Sequence, residues 1–295
     1  MTRPQNSPEV WFARPYPARI IAEGFFPADM HFHTTHTDGT VTIEALIRRI
    51  KKNGVGCAVT DHNEISGARA ACKERGDLLV IPGIEISTSD GPHILVYFYS
   101  PHDLEDFFVR HIRPRRRESP WMLTTITSRE VLEAAEEYSC LRAPAHPYGY
   151  LFFNSGLAKC IEKGYLDESL YQQCDLVEGI CANMGRGENL RAIALATRLG
   201  LPATGGSDGH VIFDLGSAVT CTTSSDPGTF LDELRHGRAR VIGRENHLGS
   251  KMLTAAAISA RFMPWLLPST KIHCERFAGR ISRFLSYRKE TEKKQ

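Results

Sequence analysis

The sequence lacks most of the features that would place it quickly. It has no C-x-x-C pair: the eight cysteines, Cys57, Cys72, Cys140, Cys160, Cys174, Cys181, Cys221 and Cys274, stand apart. That spacing excludes a zinc ribbon or a thiol redox motif and leaves most of them as small core residues. It has no excess of one charge, since 36 Lys and Arg against 34 Asp and Glu give a net +2 at pH 7. No global field therefore pulls in nucleic acid or an anionic membrane, and partners must be argued from local features. No stretch has the length and apolarity of a membrane span. The opening MTRPQNSPEVWFARPYPARI carries no apolar run of signal-peptide length, so a cytoplasmic protein with free thiols is expected. Solenoid-length repeats and low-complexity runs are also missing.

What is present is a globular composition, 42% hydrophobic over 295 residues, enough for a sizeable core. From Ile20 to about Gly243, short apolar runs alternate with helical patterns, which predicts repeated βα units around a parallel sheet. Thr42 is placed to cap a helix over IEALIRRIKKN, whose Leu46, Ile47 and Ile50 share a face before Gly54 stops it. LLVIPGIEIS and HILVYF are nearly continuous apolar runs, as expected of strands buried on both sides. The runs end in polar or ionisable residues, and parallel barrels carry their sites at the C-terminal ends of strands. The motifs are therefore expected to converge in space.

His31 and His33 are two apart on a predicted strand, so a period of two turns both imidazoles to one side, where they can share a metal ion. Alone, an H-x-H is a weak signal. Asp38 in the adjoining loop, His62 and Glu85 at strand ends, His93 opening the next strand, His146 in AHP, and Asp208 and His210 ending GGSDGH join it, giving nine candidate ligands. So many ionisable groups at one barrel mouth destabilise one another unless cations compensate them. Imidazole with carboxylate and no thiolate suits zinc, manganese or iron, and calcium poorly.

The blocks D-M-H-F-H-T with T-D-G, T-D-H at 60 to 62, P-G-I-E at 82 to 85, H-I-L-V-Y at 93 to 97, A-H-P at 145 to 147 and G-S-D-G-H at 206 to 210 resemble, in order and spacing, the PHP (polymerase and histidinol phosphatase) family. The resemblance covers most of residues 28 to 216. It implies an α/β fold, a distorted seven-stranded TIM-like (β/α) barrel, and a phosphoesterase centre of two or three divalent metal ions (Zn, Mn or Fe). It also implies His31, His33, Glu85 and Asp208 around a first metal, Glu85 bridging to a second held by His93 and His146, and Asp38, His62 and His210 at a third. Glu85, Asp208 and His62 are the residues expected to be catalytic. No ligand position is missing, unlike members that have lost their metals. In such a centre a water bridging two cations loses a proton near neutral pH and becomes the nucleophile.

The expected barrel takes residues 1 to 249, and a helical, basic tail takes 250 to 295, read as a docking helix or an interfacial segment. Arg186 and Asn189, in GICANMGRGENL, precede a helix whose N-terminus would favour phosphate, and they are the candidate substrate contacts. Asp61 is read either as a carboxylate supporting a ligating histidine or as a strand-end cap. His36, His236, His247 and His273 are assigned no ligand role. The basic loop at 110 to 121 is expected to be a solvated connection, although Arg113 and Arg115 to Arg117 would suit guiding a nucleotide or a single strand. The expected substrate is a phosphomonoester or nucleotide, such as a nucleoside bisphosphate or short oligonucleotide, cleaved by a phosphatase or a 5'-3' exonuclease. The alternatives are a metal-stabilised binding or regulatory module and, from another hydrolase class, an amidohydrolase, in which Asp38, His62 and His210 would have no task.

Overall fold

The computed structural model describes residues 9–119, 124–151, 154–272 and 274–275. His273, the tail from 276 to 295 and the end of the basic loop lie outside these residues. A curled eight-stranded sheet runs in the order Glu9–Phe12, Arg240–Gly243, Ala218–Thr222, Phe26–Phe32, Gly56–Val59, Val80–Ser87, His93–Phe98, Cys140–Pro144. A separate parallel pair, Val177–Cys181 with Ala203–Gly206, packs against Cys140–Pro144 on one side and Phe26–Phe32 on the other. The strands that carry the motifs thus form the distorted barrel that the sequence implies.

The helix expected over IEALIRRIKKN spans Ile43–Asn53. The Thr42 hydroxyl accepts from the Ala45 amide at 3.3 Å, and Gly54 ends the helix at φ +67°, where a side chain would be strained. The sheet itself departs from the expected parallel pattern. Phe26–Phe32, Gly56–Val59 and Val80–Ser87 are parallel neighbours, but His93–Phe98 runs antiparallel to both of its neighbours, and Ala218–Thr222 does likewise. The reason lies in the connection. A parallel return needs a crossover of a dozen or more residues, whereas the link from Thr88 to Pro92 only turns back, closed by the Thr88 amide donating to the Pro92 carbonyl. Reversal brings His93, the first residue of its strand, beside Ser87 at the far end of the preceding one.

Strand alternation then sorts the core. On His93–Phe98, Ile94, Val96 and Phe98 join a large cluster with helix residues Leu46, Ile50, Leu104, Phe107 and Leu132. The intervening Leu95 and Tyr97 pack with Met30, Ile81, Leu141 and Ala143, closed by Phe230, Leu231 and Leu234 of the helix Pro227–Arg235. His93 is the remaining residue of that second set, and it lies at the opposite end of the barrel interior, where the polar groups gather.

After Gly243 the chain forms the helix Leu248–Phe262, which docks on the barrel. Thr254 donates to Asp214 at 3.0 Å, Lys251 to the Met184 carbonyl at 2.9 Å, and Arg261 to the carbonyls of Thr35 and Thr37 at 2.6 and 2.9 Å. Among the described residues, no helix is long and apolar enough to cross a membrane.

Candidate metal centre

All nine residues singled out in the sequence meet at one end of the barrel interior. Their ligating atoms form overlapping groups, each with its atoms within 4.8 Å of one another: His33, Asp38, His62 and His210; His31, Glu85 and His146; His31, His33 and Asp208; and His62, Glu85 and His93. Asp208, the least buried, keeps a side-chain exposure of only 15%.

Glu85 sits at the centre. Its Oε1 is 2.9 Å from His93 Nδ1 and 3.1 Å from His146 Nε2. Its Oε2 is 3.3 Å from Nε2 of both His31 and His33 and 2.9 Å from His62 Nδ1. A second carboxylate, Asp38, lies between His62 and His210 at 3.6 and 3.3 Å, and Asp208 is 3.2 Å from His33. The observed groupings differ from the implied ones: His33 also belongs with Asp38, His62 and His210, His62 also belongs with Glu85 and His93, and His146 groups with His31 and Glu85 rather than with His93.

These contacts leave buried polar atoms unsatisfied. His33 Nδ1, Asp38 Oδ1, Glu85 Oε2 and His210 Nε2 have no partner in hydrogen-bonding geometry, although neighbouring side chains crowd them. A buried polar atom without a partner costs about 1–3 kcal/mol. Four at one spot, all of them ligand types, fit divalent cations placed among them.

The charges within the cluster pull the same way. Burial pushes Glu85 up, but His62, His31 and His93 outweigh it and hold the carboxyl well below its ordinary range. Burial likewise acts against Asp38 and Asp208, and the surrounding histidines keep both ionised. Burial lowers His33, helped by His210 and His62, to about 4. It also carries His93 down to about 4 against the pull of Glu85. For His62 burial acts downward, but Glu85 and Asp38 prevail and push it up to about 9. Without cations the carboxylates favour protonation of His62, and metal binding there would release that proton.

The backbone is bent to aim these groups. His146 and Asp208 have φ of +28° and +52°, a region that costs a residue with a side chain about 1–3 kcal/mol and that clusters at functional sites. Gly206 approaches so closely that a Cβ there would lie 2.5 Å from His31 Cβ, so only glycine fits.

Two supporting carboxylates went unassigned in the sequence reading. Glu178, in the strand Val177–Cys181, accepts from His31 Nδ1 at 2.9 Å and from the His146 amide, fixing two of the cluster's histidines. Asp29 accepts from the amides of His31, Ser207 and Gly216, tying the first motif strand to the last motif loop, and burial pushes it up to about 7 despite these donors. The signal for both was an acid inside an apolar strand, which must find donors when buried. Asp61 takes the cap role rather than supporting a histidine: it accepts from the Thr34 amide and from the hydroxyls of Thr34 and Thr37 at 2.7–2.8 Å, pinning the loop after His33.

The remaining candidates fall elsewhere. Arg186 forms a two-point pair with Glu245 at 2.6 and 2.9 Å and stacks on Phe12. Asn189 is buried, bridging the amide and carbonyl of Cys181 at 3.1 Å each. Neither belongs to the ionisable groups. His36 contacts Ser66, and His236 and His247 are exposed. Residues 110–115, expected to be part of a loop, continue as helical turns with Ile112 buried, and Arg115, Arg116 and Arg117 pair with Glu130, Glu64 and Glu275.

Comparison with known proteins agrees with this geometry. Over 65 residues, 20% of this chain, the sequence is 46% identical to the 5'-3' exoribonuclease Rnm of Escherichia coli (strain K12). The match takes in 22% of that protein, so the chain spans about a fifth of the length of the curated relatives it matches. Two solved structures share the fold. One is a two-domain Bacteroides vulgatus protein containing a predicted PHP-like metal-dependent phosphoesterase, with a TM-score of 0.55 and 14% identity over 83% of this chain and 70% of that one. The other is a lesion-specific endonuclease from Pyrococcus furiosus, with a TM-score of 0.56 and 16% identity over 74% of this chain and 57% of that one. Residues 186–239 match a PHP-associated family, and residues 29–179, half of the chain, match the PHP domain itself. This chain belongs to the PHP domain family.

Proposed function

We propose that this PHP-family protein is a metal-dependent phosphoesterase that hydrolyses a phosphomonoester or nucleotide, such as a nucleoside bisphosphate or the end of a short oligonucleotide. The observation that carries the reading is Glu85: one buried carboxylate touching five imidazoles, with its Oε2 and three neighbouring ligand atoms unsatisfied. His31, His33, Glu85 and Asp208 would hold one divalent ion, Glu85 with His93 and His146 a second, and Asp38, His62 and His210, with His33 beside them, a third. When bound, such ions supply an acidified water and neutralise charge on phosphoryl oxygens.

The chain's own residues do the positioning. Glu178 fixes the His31 ring through Nδ1, which leaves Nε2 facing Glu85 and Asp208. Asp61 anchors the loop between His33 and Asp38, and Arg261 of the docked helix holds the same loop from outside through the Thr35 and Thr37 carbonyls. Asn189 serves the site indirectly, by fixing Cys181, whose Sγ lies 4.0 Å from Asp208. Arg186 reaches a substrate phosphate only by releasing Glu245. The segment similar to an exoribonuclease and the fold shared with an endonuclease support a nucleotide-containing substrate.

The test is phosphate release from nucleoside monophosphates, bisphosphates and short oligonucleotides with manganese or zinc, comparing the wild type with His33→Ala and Asp208→Ala. Release in the wild type that is lost in both variants is the expected result. No release from any substrate, with metal still bound, would instead make the protein a metal-stabilised binding module.

A further inference from the structure

Away from the metal centre, a cavity of about 460 Å³ opens between the helix Ile43–Asn53, the loop around Phe213 and the segment leading into the helix Leu248–Phe262. That volume is within the range of about 300–1,000 Å³ typical of small-molecule sites. Three arginines from separate parts of the chain, Arg14, Arg49 and Arg244, line it together with His247. None of the three arginines pairs with a carboxylate among the described residues. Arg49 Nε is buried without a hydrogen-bond partner, and Arg244 reaches only His247, at 3.5 Å.

Two carboxylates, Asp214 and Glu245, also stand in the wall and offset part of this charge. Asp214 accepts from Ser250, Asn246 and Thr254, and Glu245 is held by Arg186. Elsewhere on this protein arginines find acids, as the pairs of Arg115, Arg116 and Arg117 show. Guanidinium groups that outnumber the carboxylates of one cavity repel one another, and planar guanidinium donors match phosphate oxygens in geometry. At the rim stands Phe213, 75% exposed, a flat apolar ring with nothing covering it. Aromatic faces of this kind stack on nucleobases.

We propose that this cavity is a second, non-catalytic site for a nucleoside diphosphate, whose phosphates lie against Arg14, Arg49 and Arg244 and whose base stacks on Phe213. The limited volume and the single aromatic ring favour a small nucleotide over a nucleic-acid strand, which would call for successive stacking platforms along a groove.

The test is isothermal titration of the full-length protein with ADP and with pyrophosphate, in EDTA so that neither hydrolysis nor metal-bound phosphate contributes. ADP is expected to bind more tightly than pyrophosphate. Arg49→Gln and Arg244→Gln should each weaken ADP about tenfold or more, and Phe213→Ala should bring ADP down to the affinity of pyrophosphate. Arg14→Gln should weaken ADP severalfold, and because Arg14 is exposed this variant keeps the test standing if the other two fail to fold. His33→Ala, in the metal centre, should bind ADP as the wild type does. Affinity that follows His33 and ignores the arginines would place the nucleotide in the metal centre and overturn the proposal. So would an absence of saturation at millimolar ADP, or single-stranded oligonucleotides that bind more tightly with each added nucleotide.

Discussion

The two ends of the barrel interior use the same strands for opposite purposes. On the strand His93–Phe98, Leu95 and Tyr97 face a dry cluster with Met30, Ile81 and Leu141, sealed by Phe230 and Leu234, while His93, two residues before Leu95, joins the ionisable cluster. On Val80–Ser87, Ile81 belongs to the apolar end and Glu85 to the polar one. The apolar end stabilises the fold by removing large side chains from water. The polar end works against it, with crowded imidazoles, buried carboxylates and two strained backbone positions. A protein tolerates such a region only where surrounding packing fixes it and a ligand rewards it. The difference separates stability from chemistry along one strand, residue by residue.

That separation can be broken from either end. The largest effect is expected from Glu85→Gln, which keeps the volume and removes the shared charge. Losing cation-based stabilisation worth several kcal/mol corresponds to a loss in turnover of about a thousandfold or more, at about 1.4 kcal/mol per tenfold, with the circular dichroism spectrum unchanged. Leu234→Ala, on the helix Pro227–Arg235 that closes the apolar cluster, attacks the other end. It should cost about 2–5 kcal/mol in denaturant unfolding while leaving metal content as in the wild type. If it emptied the centre as well, the two ends would not be separable. Glu178→Gln, which touches the cluster only through His31 and the His146 amide, should weaken metal binding about 10–100-fold without changing the number of ions at saturation.

The smallest effect is one of pH. Carboxylates hold His62 up to about 9 in the metal-free protein, so a cation must displace its proton. Metal affinity should therefore rise with pH between about 7 and 9, by about tenfold per unit for each proton released, visible as buffer-dependent heats in calorimetry. Affinity that is flat across that window would show His62 to be neutral before metal arrives.

Much of this centre was legible in the sequence because ligands announce themselves by type. A histidine or acid at the end of an apolar run is costly, and nine of them in order define a cluster. Strand direction was not legible. Alternation predicts a strand but not which way it runs, so His93 reads as the start of a strand when reversal through the turn at Thr88 to Pro92 places it at the mouth. Supporting residues were visible but unassigned. Glu178 and Asp29 stand as acids inside apolar strands, yet only the fold shows which histidine or amide each one serves. Asn189 points to the converse difficulty: an amide near a helix start suits a phosphate in sequence terms, whereas in the structure both its polar atoms are engaged by the backbone of Cys181. Arg49 and Arg244 carry no motif at all, because only folding brings them to one cavity.

The most direct test of the central claim is metal stoichiometry by elemental mass spectrometry on full-length protein dialysed after loading with zinc or manganese. Two or three ions per chain are expected in the wild type, fewer in Glu85→Gln, and the wild-type number in Leu234→Ala. A wild type that retains no ions, or one whose content is unchanged by Glu85→Gln, would contradict it.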